Sequence, residues 1–330
     1  PQSTITNIIY SAEKPATNIF VEGSRYFSPR TESKISTVTF NLTIPVPEVK
    51  TGNRLVEWAV NIEDKNGKIV RSYNQSNYGE IPPSKIIFDG LDDNQNLLQD
   101  GEYQAFVSAK YLNGYVPAKI SSPVLVLDTE KPSAQIAASE KVFGAGSKDS
   151  VRFDIMIAPS AGAPVLSWKG EIRSADKSLI VKEYDFGQYP PQTVVWNGIS
   201  DKGEIAQKGQ YTFMIFGTDL AGNAGGGELS SLVAFDTTEA QLLLAVSDSA
   251  FSPNANKIKD TITFTPVTAT KDVVSYEFTI KDNSANVIYS VKDDNKLPVK
   301  FVWDGKDNEK ILCNDGEYNA SLSIVVANGS

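Results

Sequence analysis

One block of letters occurs three times in this chain, and it limits the possible fold more than any other feature. It reads IIFDGLDDNQNLLQDGEY from Ile86 to Tyr103, VVWNGISDKGEIAQKGQY from Val194 to Tyr211, and FVWDGKDNEKILCNDGEY from Phe301 to Tyr318. The aromatic anchors Phe88, Trp196 and Trp303 are spaced 108 and then 107 residues apart. Each stands 13 residues before a glycine (Gly101, Gly209, Gly316), and a tyrosine follows two residues later. Upstream, Trp58, Trp168 and Tyr276 hold matching places. Phe27-Ser28-Pro29 returns as Phe251-Ser252-Pro253, with Phe143 standing for the middle copy. Seven residues before these phenylalanines lie the apolar residues Phe20, Ile136 and Leu244, read as matching positions. Chance similarity does not hold so many gaps constant, so the chain is a tandem of one structural unit.

The unit reads as β structure. Ser36–Ile44 and Val274–Ile280 alternate apolar and polar with period two, as half-buried strands do. Asn66-Gly67 between two such runs signals a hairpin. The glycines of the W-D-G and D-G-E-Y elements suit turns of positive φ or close backbone approach. Ala221–Gly227, AGNAGGG, reads as a flexible turn; it lacks the lysine and helix of a phosphate-binding loop. No segment shows helical periodicity over three turns. About seven short strands per 100 residues is the two-sheet sandwich pattern. The expected division is an extension over 1–14 and repeats over 15–128, 129–236 and 237–330. The Trp and Tyr anchors then pin the two sheets together.

Composition narrows the partners. The net charge is −9, which disfavours nucleic acid and anionic lipid. Cys313 is the single cysteine and histidine is absent. The units must therefore stand on burial without an internal disulfide, and Cys313 reads as a half-buried small apolar residue. No apolar run reaches the ~18 residues of a membrane span. The chain begins at Pro1 without a leader, as expected of a processed chain or an excised fragment.

The W-D-G-x-D…D-G-x-Y signature, with the following D-x-x-G-N turn at Asp219–Asn223, resembles the immunoglobulin-like domain of the flagellar hook-cap family. Phe251–Phe264, FSPNANKIKDTITF, looks like the opening of bacterial surface-protein repeats. The resemblance covers residues 15–330 and implies three tandem immunoglobulin-like β-sandwiches, all-β and elongated. It further implies placement outside the cytoplasm, in the periplasm, at the outer membrane or on the cell surface. Some envelope proteins of this kind carry such tandems ahead of a peptidoglycan-binding domain similar to that of outer membrane protein A. Ala255, Asn256 and Lys257 replace the glycines and aspartate of the usual opening loop, and the middle copy lacks Ser-Pro, which argues against cation binding there.

Catalytic chemistry finds little footing. Without histidine there is no Ser-His-Asp triad, Cys-His pair or histidine zinc site. Paired carboxylates are conceivable, but Asp304, Asp307 and Asp315 fall on turns echoed by Asp89, Asp92 and Asp100, where aspartate accepts backbone N–H bonds. Asp89–Gln95 and Asp304–Glu309 cluster oxygens as a calcium site would, yet the middle copy keeps only Asp201. No catalytic, cofactor or metal residue is assigned.

Two functions remain. The first is a structural spacer or assembly module whose partners are cell-envelope components or further domains of the same polypeptide. The second is an adhesion module for glycan or host protein, using Tyr73, Tyr78, Tyr184 and Tyr189 on loops. The linkers Asp128–Ala134 and Asp236–Gln241 are short and not Gly/Ser-rich, so bending should be restricted. The third repeat reaches Ser330 without the final strand found after Tyr103 and Tyr211. The natural polypeptide is expected to continue, and the uncovered edge invites pairing with another chain.

Overall fold

The computed structural model describes residues 8, 10–30, 32–48, 52–160, 162–294 and 296–330. Most of the expected extension 1–14, residues 1–7 and 9, lies outside them. The chain is three tandem β-sandwiches. In the first, β1 (Asn18–Glu22), β3 (Val38–Thr43) and β6 (Lys85–Phe88) form one sheet in the order β1-β3-β6. Facing it are β2 (Tyr26–Phe27), β4 (Leu55–Asp64), β5 (Ile69–Asn74), β7 (Gly101–Tyr111), β8 (Ile120–Ser121) and β9 (Leu125–Leu127). Their order is β2-β9-β7-β4-β5, with β8 also on β7. A single helical turn, Gln75–Tyr78, follows β5.

The second sandwich repeats this plan. Its smaller sheet is β10 (Ala134–Ala138), β12 (Val151–Ile157) and β15 (Thr193–Trp196). Its larger sheet holds β11 (Val142–Phe143), β13 (Val165–Ser174), β14 (Ile180–Gly187), β16 (Gly209–Asp219), β17 (Ala224–Glu228) and β18 (Val233–Phe235). The third has β19 (Leu243–Val246), β20 (Ile262–Val267) and β23 (Phe301–Trp303) opposite β22 (Val287–Asp293), β21 (Val273–Lys281) and β24 (Asn319–Val326). The exposed surface is 20159 Å², against roughly 13,300 Å² for a compact body of this mass. That excess is what three small separate cores expose, not one compact body.

Alternation along each strand sends one row of side chains between the sheets. Val38, Phe40, Trp58, Val60, Ile62 and Phe88 meet in the first core. Val151, Phe153, Trp168, Ile172, Trp196 and Phe213 meet in the second. Trp196 packs edge-on against Tyr211, ring centroids 5.0 Å apart, and Trp303 against Tyr318 at 5.1 Å. The tyrosines also do something their role as anchors did not reveal. Tyr103, Tyr211 and Tyr318 each donate the hydroxyl to the carbonyl four residues upstream, at 2.7, 2.5 and 2.6 Å. This satisfies the polar end of a packed ring and ties the strand to its incoming loop, a tyrosine corner.

Two sequence expectations need correction. Phe20 is 53% exposed, and Ile19 takes the core place equivalent to Ile136. Ile19 opposes Leu42 as Ile136 opposes Ile155. The first unit has one more residue between this strand and Phe27, and a one-residue shift turns every side chain to the other face. The first repeated glycine is conformationally required in all three copies, the second only in the first copy, where Gly101 has φ +156°. Gly90, Gly198 and Gly305 have φ near +75 to +78°, and a Cβ there would strike Pro29, Phe235 and Pro253 respectively. A Cβ on Gly101 would meet nothing within 4 Å, and on Gly209 or Gly316 only ordinary contacts. The same geometry explains Ser-Pro: Pro29 and Pro253 cover the turn glycine, and Phe235 covers it in the middle copy.

Candidate functional site

The residues that carry a consistent, position-specific interaction gather at the two junctions between sandwiches. Each sandwich presents the hairpin after its long strand to the linker before it. In the second sandwich this is Asp219–Asn223, closed by Gly222, which donates its N–H to Asp219 and sits at φ +83°. In the third it is Val326–Ser330, closed by Gly329 at φ +95°.

At the first junction Asp128 is buried. Its N–H donates to the Phe27 carbonyl, and its carboxylate accepts the Glu130 and Ala163 N–H groups at 3.0 and 2.6 Å. Its carbonyl accepts the Asn223 side-chain amide at 2.9 Å. The same amide reaches Asp219 Oδ2 at 2.9 Å, and Asn223 N–H donates to Asp219 Oδ1. Burial raises the Asp219 pKa, against the bonds from Asn223 that lower it. Across the junction, Ser33 Oγ donates to the Ala221 carbonyl at 2.8 Å.

The run Ala221–Gly227 is the strongest departure from the sequence reading. It is not a flexible turn: its second half is strand β17, paired with β16. A Cβ on Gly225 would stand 2.2 Å from the Pro132 carbonyl oxygen, and one on Gly227 2.1 Å from that of Ala134. The glycines let β17 lie directly on the linker. No pattern of period or charge announces that role, because the linker's path is a tertiary fact.

The second junction uses other residues for the same bonds. Asn328 is buried, and its side-chain amide donates to the carbonyls of Asp236 and Thr238 at 2.9 and 2.8 Å. Ala145 and Ser147 of the second sandwich donate backbone N–H to the carbonyls of Asn328 and Gly329. Ser330 Oγ accepts from Ala240 N–H at 2.9 Å.

The other candidates are accounted for locally, except Asp315, which is exposed. Asp92 Oδ1 accepts the N–H groups of Asn94 and Asn96, and Asp307 Oδ1 those of Glu309 and Ile311. Ser200 takes this place in the middle copy and accepts from Glu204. Asp201 accepts the Glu183 N–H as Asp93 accepts that of Ser72. Asp89 and Asp304 cap their own turns, and Asp100 holds Thr129. These carboxylates are spent on backbone donors. Cys313 is half-buried, with its thiol pKa raised by burial and then by Asp307 and Asp304.

The four tyrosines separate. Tyr73 is 1% exposed on β5, with burial raising its pKa. Tyr184 is half-buried on β14, stacked on Phe186, its pKa pushed up to about 12 by burial. Neither is a loop residue open to a ligand. Tyr78 and Tyr189 are exposed. No helix among the described residues is long and apolar enough to cross a membrane.

No protein-family model and no curated sequence matches the chain. Among solved structures it is similar to the FN1–FN3 domains of chicken CNTN1, at 12% identity and TM-score 0.31, over 94% of this chain and 93% of that one. It is also similar to fibronectin(III)-like modules of Clostridium thermocellum CbhA, at 12% identity, TM-score 0.31, over 67% and 97%. A two-domain fibronectin type III segment of chicken tenascin gives 12%, 0.26, 67% and 99%. The sandwich assignment itself rests on the strand pairing above.

Proposed function

We propose that this chain is a non-catalytic structural spacer and assembly module of a bacterial cell-envelope protein, working outside the cytoplasm. One observation carries the spacer reading: both linkers are bound to the following sandwich by a buried asparagine amide, Asn223 on Asp128 and Asn328 on Asp236 and Thr238. Such bonds, with β17 seated on Pro132–Ala134, set successive units at defined angles, and a module that holds distance needs that. The clustered carboxylates support the non-catalytic reading, since backbone donors engage them. Placement outside the cytoplasm rests on the resemblance of the repeated motif and on a chain with one cysteine. Labelling of intact source cells with an inner-membrane-impermeant reagent should modify the protein. Modification only after lysis, with cytosolic markers, would overturn the placement. The adhesion reading retains Tyr78 and Tyr189 and is tested by saturable glycan binding that a Tyr189→Ala change abolishes.

A further inference from the structure

In every sandwich one sheet ends in the same kind of strand: among the described residues β5, β14 and β22 each pair with a single neighbour. A terminal strand leaves every second pair of N–H and C=O groups pointing outward, ready to join another strand. The loop between the two repeated glycines lies across those groups. In the first unit Asp93 Oδ1 accepts the Ser72 N–H at 3.0 Å, and the Asp93 N–H donates to the Val70 carbonyl at 3.2 Å. In the second Asp201 Oδ2 accepts the Glu183 N–H at 2.8 Å, and the Asp201 N–H donates to the Val181 carbonyl at 3.1 Å. In the third Asn308 Oδ1 accepts the Ser290 N–H at 3.1 Å. Asp93, Asp201 and Asn308 are spaced 108 and 107 residues apart, as the aromatic anchors are.

The loop is built stiff. Leu91 bridges Leu97, Ile199 bridges Ile205 and Lys306 bridges Leu312, so each copy is a miniature hairpin. Its tip turns at Gln95, Gly203 and Lys310, all at positive φ between 66 and 78°. The carbonyls of Gly90, Gly198 and Gly305 accept the N–H groups of Leu98, Ala206 and Cys313 and close its base. Such a loop presents Asp93, Asp201 or Asn308 to the strand edge in one fixed place. Joining one sheet to the other needs none of this, so the repetition of its polar letters points to the edge contact.

We infer that this loop is a strap that closes the sheet edge to strand addition by a second copy of the chain. A tandem of like sandwiches carries like edges, and edge pairing between them is its characteristic hazard. The closure is more complete in the first unit. There Asn77 also donates its side-chain amide to the Ser72 carbonyl at 2.8 Å and accepts the Asn74 N–H at 2.8 Å. In β14 the matching groups are the Glu183 carbonyl and the Asp185 N–H. They point away from β13, and no described residue bonds them. Glu183 and Asp185 are exposed, and their like charges on two copies would oppose pairing there. The second sandwich therefore depends on its strap more than the first does.

The test compares Asp201→Ala, Asp93→Ala and Asp201→Asn in the 330-residue chain. Asparagine keeps an acceptor oxygen, as Asn308 does in the third unit. In Asp201→Ala the Glu183 amide should exchange with solvent about tenfold or more faster, while the amides of β16 stay protected. Sedimentation velocity in about 1 M salt, which screens charges beyond ~3 Å, should show larger species for this variant than for the unaltered chain. Asp93→Ala should sediment as the unaltered chain does, because Asn77 still holds its strand. Asp201→Asn should restore both the slow amide and the smaller species. An unchanged Glu183 amide, or a released amide without added association, would overturn the inference. So would equal association of the two alanine variants, or association that Asp201→Asn shares. Loss of protection throughout β16 would make Asp201 a support of the core instead of a strap, and would overturn it as well.

Discussion

The side-chain amide of Asn223 lies 2.9 Å from the carbonyl oxygen of Asp128, so a turn in the second sandwich is bonded to the residue that ends the first. Asn328 does the equivalent for Asp236 at the next junction, although the two asparagines are not at matching positions. Asn223 follows its turn glycine and Asn328 precedes its own. The bond recurs where the residue alignment does not, which marks the junction geometry itself as the shared feature.

Replacing Asn328 with alanine should loosen the second junction and leave the cores intact. Two carbonyls, one on half-buried Asp236 and one on exposed Thr238, lose their donor, a cost of about 1 kcal/mol. The expected outcome is faster proteolysis within Asp236–Gln241 with an unchanged melting point for the second sandwich. Unchanged proteolysis would show that the amide does not restrain the linker.

Gly225→Ala tests the first junction from the other side. The new Cβ would press on the Pro132 carbonyl, and overpacking of this kind costs about 1–3 kcal/mol. Scattering should show increased bending between the first two sandwiches. Identical scattering curves would mean that β17 does not depend on the glycine to seat the linker.

Independence of the cores predicts a local effect for Trp196→Ala. Trp196 is fully buried and donates its indole N–H to the Ile199 carbonyl at 3.1 Å. Its loss should cost the second sandwich about 3–5 kcal/mol. Calorimetry should show one transition falling and the others nearly fixed; a fall of all three together would mean one cooperative body.

Acid should act on the second sandwich through Asp176. Ser174 Oγ donates to its carboxylate at 2.6 Å and Ser178 N–H at 3.1 Å, which holds the pKa at about 2 against an ordinary 3.8. The folded value is the lower one, so the stabilisation is present above pH 3.8 and is lost as pH falls toward 2. Asp176→Asn should flatten the dependence of the second transition on pH in that window. An equal slope in both proteins would assign the acid sensitivity elsewhere.

Much of this architecture was legible in the letters, because the anchors are large and their spacing is covalent. Phe88, Trp196, Trp303, Tyr103 and Tyr211 are buried where the repeat placed them, and Tyr318 is half-buried. Phe20 misled because an extra residue flips a strand without changing composition. Gly225 and Gly227 misled because a glycine run looks the same in a free turn and beneath a crossing backbone. Tyr73 and Tyr184 misled because tyrosine suits both a binding loop and a half-buried strand. The junction asparagines left no periodic signal, since each bonds a carbonyl roughly 90 or more residues away in sequence.

Small-angle scattering in dilute solution tests the spacer claim most directly. Three sandwiches of ~30 Å along their strands give a rod of roughly 100 Å, with a radius of gyration near ~30 Å and a distance distribution with a long tail. A radius near the ~20 Å of one compact body of this length, or a curve that only a broad ensemble of bend angles fits, would contradict a rod held by Asn223 and Asn328.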